Sequence, residues 1–239
     1  MGNGLKKDTD EDWRFTGRDR ELERLLYLVK TTNKRLITIT GLQKIGKSRL
    51  MLEVYNDTVS DQTSRCMYHD FQNDNPESTH FQLKWLKEIY GFFGGGNLGK
   101  LGDGLDFTTD NGMNCVVDAF SEQFQKSDTY TVLFLDNVET ILGSALRNNF
   151  QKFVKTVLQQ CLKLKLVMTS SEKLNCVHKR IFENVHVAKL NDESTLMLLR
   201  EVYTYEEGGK PWEDVQEFMK YIARLCEGLP HAAIMAGIE

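Results

Sequence analysis

The residues with the clearest chemistry form a short glycine-bounded stretch, GLQKIGKS at positions 41–48. It satisfies the pattern G-x-x-x-x-G-K-[ST] between an apolar β-branched run and a helical pattern, which is the context this motif requires. Glycines at both ends are expected to permit backbone angles that side chains forbid, so that main-chain N–H groups surround phosphate oxygens. Lys47 would place a charge on the β- and γ-phosphates, and Ser48 would offer a hydroxyl to Mg²⁺. We expect these residues to bind a nucleotide: Gly41, Leu42, Gln43, Lys44, Ile45, Gly46, Lys47, Ser48 and Arg49.

A metal partner for that hydroxyl is expected at the end of a neighbouring strand. Asp136 directly follows the apolar run Val132–Leu135, and the sequence shows it as the only acid with that placement. Taken alone, such a residue is more often a turn aspartate. Together with the loop, Asp136 and Ser48 are predicted to hold Mg²⁺.

The residues after Asp136 bear on catalysis. Many ATPases with this type of phosphate loop carry a second acid at the position of Asn137, where it orients the attacking water. An amide can position water but cannot accept its proton. Glu139 is a candidate substitute, although a solvated glutamate is the simpler interpretation. The predicted catalytic set is therefore Asp136, Asn137 and Glu139.

A hydroxyl-rich tip ends the run at positions 165–171. Thr169, Ser170 and Ser171 are predicted to face the same crevice and to sense the γ-phosphate through hydrogen bonds. The alternative is a simple hydroxyl turn, in which the side chain bonds to nearby backbone.

Strand-like and helical patterns alternate along most of the chain, which predicts an α/β fold: a three-layer parallel sheet of about five strands with ligands at the strands' C-terminal ends. The tail after residue 190 is helical. We predict a disordered segment at 1–12, a P-loop nucleotide-binding domain at 13–190 and a helical subdomain at 191–239. The strands are expected at 35–40, 65–71, 130–136, 165–171 and 184–188.

A glycine-rich stretch at 91–104 lies between a helical pattern at 81–90 and another at 116–124. A second phosphate cradle would need a strand and a Lys-Ser/Thr pair beside the glycines. Neither is present, so a surface connection is favoured.

Composition narrows the partners. The 239 residues carry a net charge of −4, so the sequence predicts no broad positive potential and nucleic acid is not an expected partner. Apolar runs are too short to span a membrane. Five cysteines without metal-ligand spacing indicate a reduced, cytoplasmic protein and argue against a zinc site.

As an ordered set, the motifs resemble the NB-ARC branch of the STAND signal-transduction NTPases, which includes plant resistance proteins and apoptotic protease-activating factors. The segments 15–22, 41–48 and 133–139 look like its adenine-side, phosphate-loop and metal-acid motifs, and Gly228-Leu229-Pro230 looks like its GLPL motif. The resemblance implies that Phe15, Thr16 and Arg18 lie beside the adenine, with Pro230 near the base.

The resemblance also implies an ADP/ATP–Mg²⁺ switch with slow or absent hydrolysis, in which ADP holds a closed state and ATP permits self-association or protein partners in innate immunity or cell death. The chain would be either a piece of a larger protein or a minimal relative. Three positions depart from the family pattern. Ser171 stands in place of a γ-phosphate-sensing arginine, Asn137 in place of an acid, and His231 in place of leucine.

Three other functions have less support from the sequence. An AAA+-like ATPase resembling origin-recognition proteins would need fast turnover, which Asn137 and Ser171 disfavour. A protein-interaction scaffold with a vestigial nucleotide site would have little reason to keep Lys47, Ser48 and Asp136 together. A small-molecule kinase would need an acceptor base and lid arginines, and neither is evident.

Overall fold

The computed structural model describes residues 15–62, 64–74, 129–174, 176–205 and 211–238, together with positions 88, 109, 114, 117, 118 and 121. The predicted tail at 1–12, the helix at 81–90 apart from position 88, and the glycine-rich connection at 91–104 lie outside these residues. The chain divides into two compact units. The larger comprises Glu21–Gly41 and Lys47–Val187, and the smaller comprises residues 15–20, Leu42–Gly46 and 188–238.

The elements run in the order helix α1 (Asp19–Thr31), strand β1 (Leu36–Gly41), α2 (Lys47–Ser60), β2 (Ser64–Asp70), β3 (Tyr130–Asp136), α3 (Glu139–Leu142), α4 (Arg147–Gln160), β4 (Leu164–Ser170), β5 (Phe182–Val187), α5 (Asp192–Tyr205), α6 (Trp212–Leu225) and α7 (Pro230–Ile238). The predicted α/β class with a P-loop type parallel sheet and a following helical part is confirmed. Strand β5 begins two residues earlier than expected and ends one residue earlier, because its first residues pair with β1 from Leu36 onward.

The sheet has five strands in the order β2-β3-β4-β1-β5, all parallel. Strand β4 therefore lies between β1, which leads into the phosphate loop, and β3, which ends in Asp136. The expectation that Asp136 ends a strand next to β1 is wrong. The two strands are second neighbours, and the residues that end β4 lie between them.

Burial explains why these sequences form inner strands. Every residue of β1 and β4 is buried, as is all of β3 after its first residue. A parallel strand covered on both faces needs a mostly apolar sequence. Helix α4 instead buries one face, at the spacing typical of an amphipathic helix. Its buried residues are Phe150, Phe153, Val154, Val157 and Leu158.

The smaller unit has its own apolar cluster, which is built from residues of α5, α6 and α7 together with Leu190 before α5 and Cys226 after α6. Helix α5 starts with a side-chain cap, because Oδ1 of Asn191 accepts the backbone N–H of Ser194 at 2.7 Å. Gly228, at φ +70°, lies so close to Leu190 that a Cβ there would be 2.1 Å from the Leu190 carbonyl oxygen. Only glycine fits this close approach at a positive φ.

Within the part of the chain that the structure describes, no helix has the length and apolarity needed to cross a membrane.

Candidate nucleotide-binding site

Asp136 ends β3 with its side chain almost fully buried, at 1% exposure. Its Oδ1 accepts the Ser48 hydroxyl at 3.0 Å, the Thr169 hydroxyl, and the backbone N–H of Asn137 at 3.0 Å. Its Oδ2 accepts the Tyr68 hydroxyl at 2.6 Å. A buried carboxylate is stable only with such compensation. The structure therefore brings together Ser48 and Asp136, the two residues predicted to hold the metal.

The parallel register explains this convergence. Tyr68 of β2 pairs with Phe134 of β3, and Asp70 pairs with Asp136. Alternate residues of a strand point to the same face, so Tyr68, Asp70 and Asp136 share one face of the sheet. Ser48 reaches the same carboxylate from the first turn of α2.

Tyr68 is oriented by aromatic neighbours. The ring of Tyr55 on α2 makes edge contacts with Tyr68, at 5.6 Å between centroids, and with Phe134, at 5.4 Å. Such tilted pairs are the preferred aromatic geometry. Burial raises the pKa of Tyr55, with the nearby Cys66 adding to the effect. The cluster directs the Tyr68 hydroxyl at Asp136.

Asn137 has a left-handed backbone, with φ +56°. Asparagine is one of the few non-glycine residues that adopt this conformation readily. The turn lets its N–H donate to both Asp136 and Thr169 Oγ1, the latter at 2.9 Å. Its side-chain Nδ2 donates to Oδ1 of Asp70 at 2.7 Å. The amide at the predicted catalytic position is therefore held by a carboxylate.

The two β4 residues predicted to sense phosphate have different surroundings. The Thr169 hydroxyl is fully buried and donates to Asp136. Ser170 Oγ accepts the backbone N–H of Glu172 at 3.2 Å, which is the hydroxyl turn weighed as the alternative for this segment. Thr169 thus fixes the Asp136 carboxylate.

The backbone of the phosphate loop differs from expectation at its first glycine. Gly41 ends β1 and does not have a positive φ, whereas Lys44 (φ +61°) and Gly46 (φ +95°) do. The expected freedom at Gly41 is therefore wrong, because that residue pairs with Val187 in the sheet. Lys47 is buried at the start of α2, and its Nζ donates to the Gly41 carbonyl oxygen at 3.3 Å. This contact holds the ammonium group at the end of β1.

In the smaller unit, two motifs of the proposed resemblance meet the loop. Arg18 is buried, and its Nη2 donates to the carbonyl oxygen of Ile45 at 3.3 Å. A Cβ built on Gly46 would lie 3.9 Å from Cγ of Pro230, an ordinary van der Waals distance. The proline ring therefore lies beside the loop.

The other predicted residues are less closely tied to the site. Glu139 has a buried Oε2 without a hydrogen-bond partner among the described residues. Arg49 Nε donates to Glu53 at 2.9 Å, one turn along α2. Phe15 and Thr16 are half-buried. The loop residues Leu42, Gln43 and Lys44 are exposed.

Two residues that contact Asp136 or Asn137 were not predicted from the sequence, namely Tyr68 and Asp70. Asp70 ends β2 as Asp136 ends β3, so the statement that Asp136 alone has this placement is wrong. The signal was available, because Asp70 follows a strand-like run and precedes a turn. Tyr68 has no comparable signal, since a tyrosine within a strand usually only packs.

The donor set fits Mg²⁺. Carboxylate and hydroxyl oxygens are the ligands that this small, hard cation prefers. Ser48 and Asp136 supply one of each, and the two oxygens are 3.0 Å apart. We propose that this pair holds the metal. Bound there, the ion would neutralise charge on the phosphates.

A comparison with protein families decides the class. The model described as "ATPase domain predominantly from Archaea" matches residues 15–232. The chain belongs to this family. A search of curated proteins finds no match.

Solved structures resemble this ATPase domain in fold. The Walker-type ATPase PABY2304 of Pyrococcus abyssi is 15% identical, with TM-score 0.65, over 94% of this chain and 67% of its own. The origin recognition complex of Drosophila bound to DNA is 15% identical, with TM-score 0.59, over 92% of this chain and 60% of its own. The STAND protein PH0952 of Pyrococcus horikoshii, which has a tetratricopeptide repeat sensor, is 15% identical, with TM-score 0.55, over 90% of this chain but 28% of its own.

At these identities the structural matches show the fold alone. Together with the family they establish a P-loop ATPase domain, which implies a nucleotide with Mg²⁺. They do not single out the NB-ARC branch or choose between ADP and ATP. One matched structure is a DNA complex, so the expectation that nucleic acid is not a partner gains no support.

Proposed function

We propose that this ATPase domain is an ADP/ATP–Mg²⁺ switch module of a STAND signalling protein, with slow or absent hydrolysis. The main supporting observation concerns two consecutive residues, Asp136 at the end of β3 and Asn137 after it. The buried Asp136 is bonded to Ser48, whereas the next position holds an amide. The first feature suits tight binding of a metal–nucleotide complex, and the second withholds a proton acceptor where hydrolysis would use one.

Each residue has a role in this proposal. Lys47 and the N–H groups of the loop bind the phosphates, aided by the positive N-terminus of α2. Ser48 and Asp136 hold Mg²⁺, and Asn137 positions water. Arg18 and Pro230, which both lie against the loop, would form the base-side wall with Phe15 and Thr16. The resemblance to NB-ARC proteins and the fold likeness to a STAND protein support the switch role.

On this proposal, the bound nucleotide controls association. ADP would hold a closed state, and ATP would permit self-association or the binding of protein partners in immune or cell-death signalling. The domain limits 13–190 and 191–239, and a cytoplasmic location, belong to the same proposal.

The direct test is the nucleotide content of the purified protein. We expect ADP to be released on denaturation and identified by ion-exchange chromatography, and Lys47→Ala to abolish it. Lys155→Ala removes an exposed lysine of α4 and serves as the matched control. Wild-type protein that neither carries nor binds adenine nucleotide would refute the proposal.

A second candidate, an AAA+-like ATPase, is favoured by the fold likeness to the Drosophila origin recognition complex and to yeast Hsp104, the latter at TM-score 0.53. Turnover separates the two. Sustained hydrolysis above about 1 s⁻¹, the lower end of ordinary enzymes, would favour this candidate over the switch.

A further inference from the structure

Two strand ends in the larger unit place a carboxylate and an amide in direct contact. Asp70 and Asp136 are paired in the β2–β3 register, and the next residue, Asn137, reaches back to Asp70. The distance from Asn137 Nδ2 to Asp70 Oδ1 is 2.7 Å, and the two residues are 67 positions apart in sequence. Asp70 Oδ1 also accepts the backbone N–H of Gln72 at 2.9 Å, which fixes the carboxylate from the turn that follows β2.

This contact defines the orientation of the Asn137 amide. An ionised carboxylate only accepts hydrogen bonds, so the amide must turn its NH₂ group to Asp70. Its carbonyl oxygen is then the atom left to meet a ligand or a water. With any neutral amide or hydroxyl at position 70, both orientations would be allowed. Asp70 therefore makes Asn137 an acceptor, the hydrogen-bonding role that a carboxylate would have at the same position.

We propose that Asp70 is a positioning residue that sets Asn137 to bind the attacking water through its amide oxygen while leaving that water without a strong proton acceptor. This rests on the proposed function and gives a structural basis for its slow hydrolysis. The carboxylate lies at the end of β2 and the amide follows β3, and this arrangement favours binding of ATP over its hydrolysis.

The hydrolysis reaction shows why the positions of the carboxylate and the amide affect its rate. The water oxygen bonds to the γ-phosphorus, and the bond to the bridging oxygen breaks with its electron pair leaving on ADP. The proton of the water must be accepted by a base. A carboxylate at position 137 could accept it, and general-base assistance of this kind is worth about 10²–10⁴-fold in rate. The amide of Asn137 cannot, so the proton passes to phosphate oxygens or to solvent.

The backbone permits the reverse arrangement. Position 137 has φ +56°, a conformation that aspartate tolerates nearly as well as asparagine. Aspartate and asparagine also have the same size. The exchanged pair Asp70→Asn/Asn137→Asp keeps one carboxylate, one amide and their hydrogen bond, and it moves the carboxylate to the position that follows β3.

The experiment compares wild type, both single variants and the exchange variant. Asn137→Asp alone places two carboxylates against each other, so its thermal midpoint should fall, and the exchange should recover it. Single-turnover hydrolysis should be at least about tenfold faster in the exchange variant than in wild type. ATP affinity measured in EDTA should stay within about twofold. Asp70→Asn alone should slow the residual turnover without changing that affinity.

Asp74→Asn is the matched control, because it makes the same substitution in the turn after β2 at a carboxylate that contacts His69 instead. It should leave turnover as in wild type. A purely structural pair would recover stability in the exchange variant without faster hydrolysis, and that result would overturn the proposal. Loss of all turnover in Asp70→Asn would also overturn it, since Asp70 would then be the proton acceptor itself. If wild type binds ATP and hydrolyses it slowly, either failure leaves the proposed function intact. If wild type binds no nucleotide, the proposed function fails first.

Discussion

The hydroxyl of Ser48 lies 3.0 Å from Oδ1 of Asp136, across 88 positions of sequence. One oxygen comes from the first turn of α2 and the other from the end of β3, with β4 lying between β1 and β3 in the sheet. The proposed metal position rests on this contact, so it is tested first.

Ser48→Ala removes one of the two oxygens proposed to hold Mg²⁺. Wild type should bind ATP about tenfold or more tightly with MgCl₂ than with EDTA, and the variant should lose most of that difference while its affinity in EDTA stays similar. Titration calorimetry in the two buffers measures both. Ser60→Ala, at the exposed end of α2, is the control and should behave as wild type. A Ser48→Ala protein with full Mg²⁺ dependence would refute the assignment.

Tyr68→Phe deletes one donor to a carboxylate that is almost fully buried. Hydrogen bonds to charged groups contribute about 1.5–3 kcal/mol, so the free energy of unfolding should fall by about that amount. Urea denaturation of the nucleotide-free protein measures it. Tyr221→Phe, at an exposed tyrosine of α6, should have no effect. Equal stability of Tyr68→Phe and wild type would mean that Asp136 does not need this donor.

Cys66 should make stability depend on pH in the alkaline range. Burial raises the pKa of this thiol from 9.0 to about 11. The unfolded thiol ionises near pH 9 and the folded one near 11, so the folded state binds more protons between these values. Its contribution to stability is therefore complete below pH 9 and is lost as the pH rises to 11.

Denaturation midpoints between pH 8 and 11 test this prediction. Cys66→Ala should show a shallower fall than wild type, whereas Met67→Leu on the same strand should match the wild-type slope. Burial also raises the pKa of Cys176 to about 11, so adding Cys176→Ala should flatten the curve further. Parallel curves for Cys66→Ala and wild type would contradict the burial argument.

Gly228→Ala should destabilise the smaller unit. The new Cβ would be 2.1 Å from the carbonyl oxygen of Leu190, at a φ of +70° that costs a non-glycine residue about 1–2 kcal/mol before the clash is counted. Because the obstacle is backbone, it cannot rotate away. Limited proteolysis should cut residues 188–238 faster in the variant.

Glu227→Ala is the control for that substitution. Glu227 is also at positive φ, and its exposed ion pair with Lys189 contributes little. Cleavage of this control should match wild type. If Gly228→Ala resists protease equally well, the close approach to Leu190 is not a constraint on the fold.

Much of the fold was predictable because its signals are local. The apolar run before Asp136 and the glycines before Lys47 are read from adjacent residues. Strand order is not local, since it depends on which strands pair across long stretches of chain. The insertion of β4 between β1 and β3 therefore escaped prediction, and with it the contact that Thr169 makes with Asp136.

The site divides in the same way. The phosphate loop, Asp136 and the missing second acid follow from the sequence alone, because each depends on residue types at fixed spacing. The sequence predicted special backbone angles at both glycines of the loop; Gly46 has a positive φ, whereas Gly41 does not, because it pairs with β5.

The tertiary structure alone decided what Asn137 contacts. The sequence shows an amide in place of an acid, which indicates only that something is lacking. Parallel pairing of β2 with β3 sets Asp70 beside that amide, and the left-handed turn at Asn137 lets the hydrogen bond form at 2.7 Å. A contact between residues 67 positions apart depends on strand register, which no short stretch of sequence encodes.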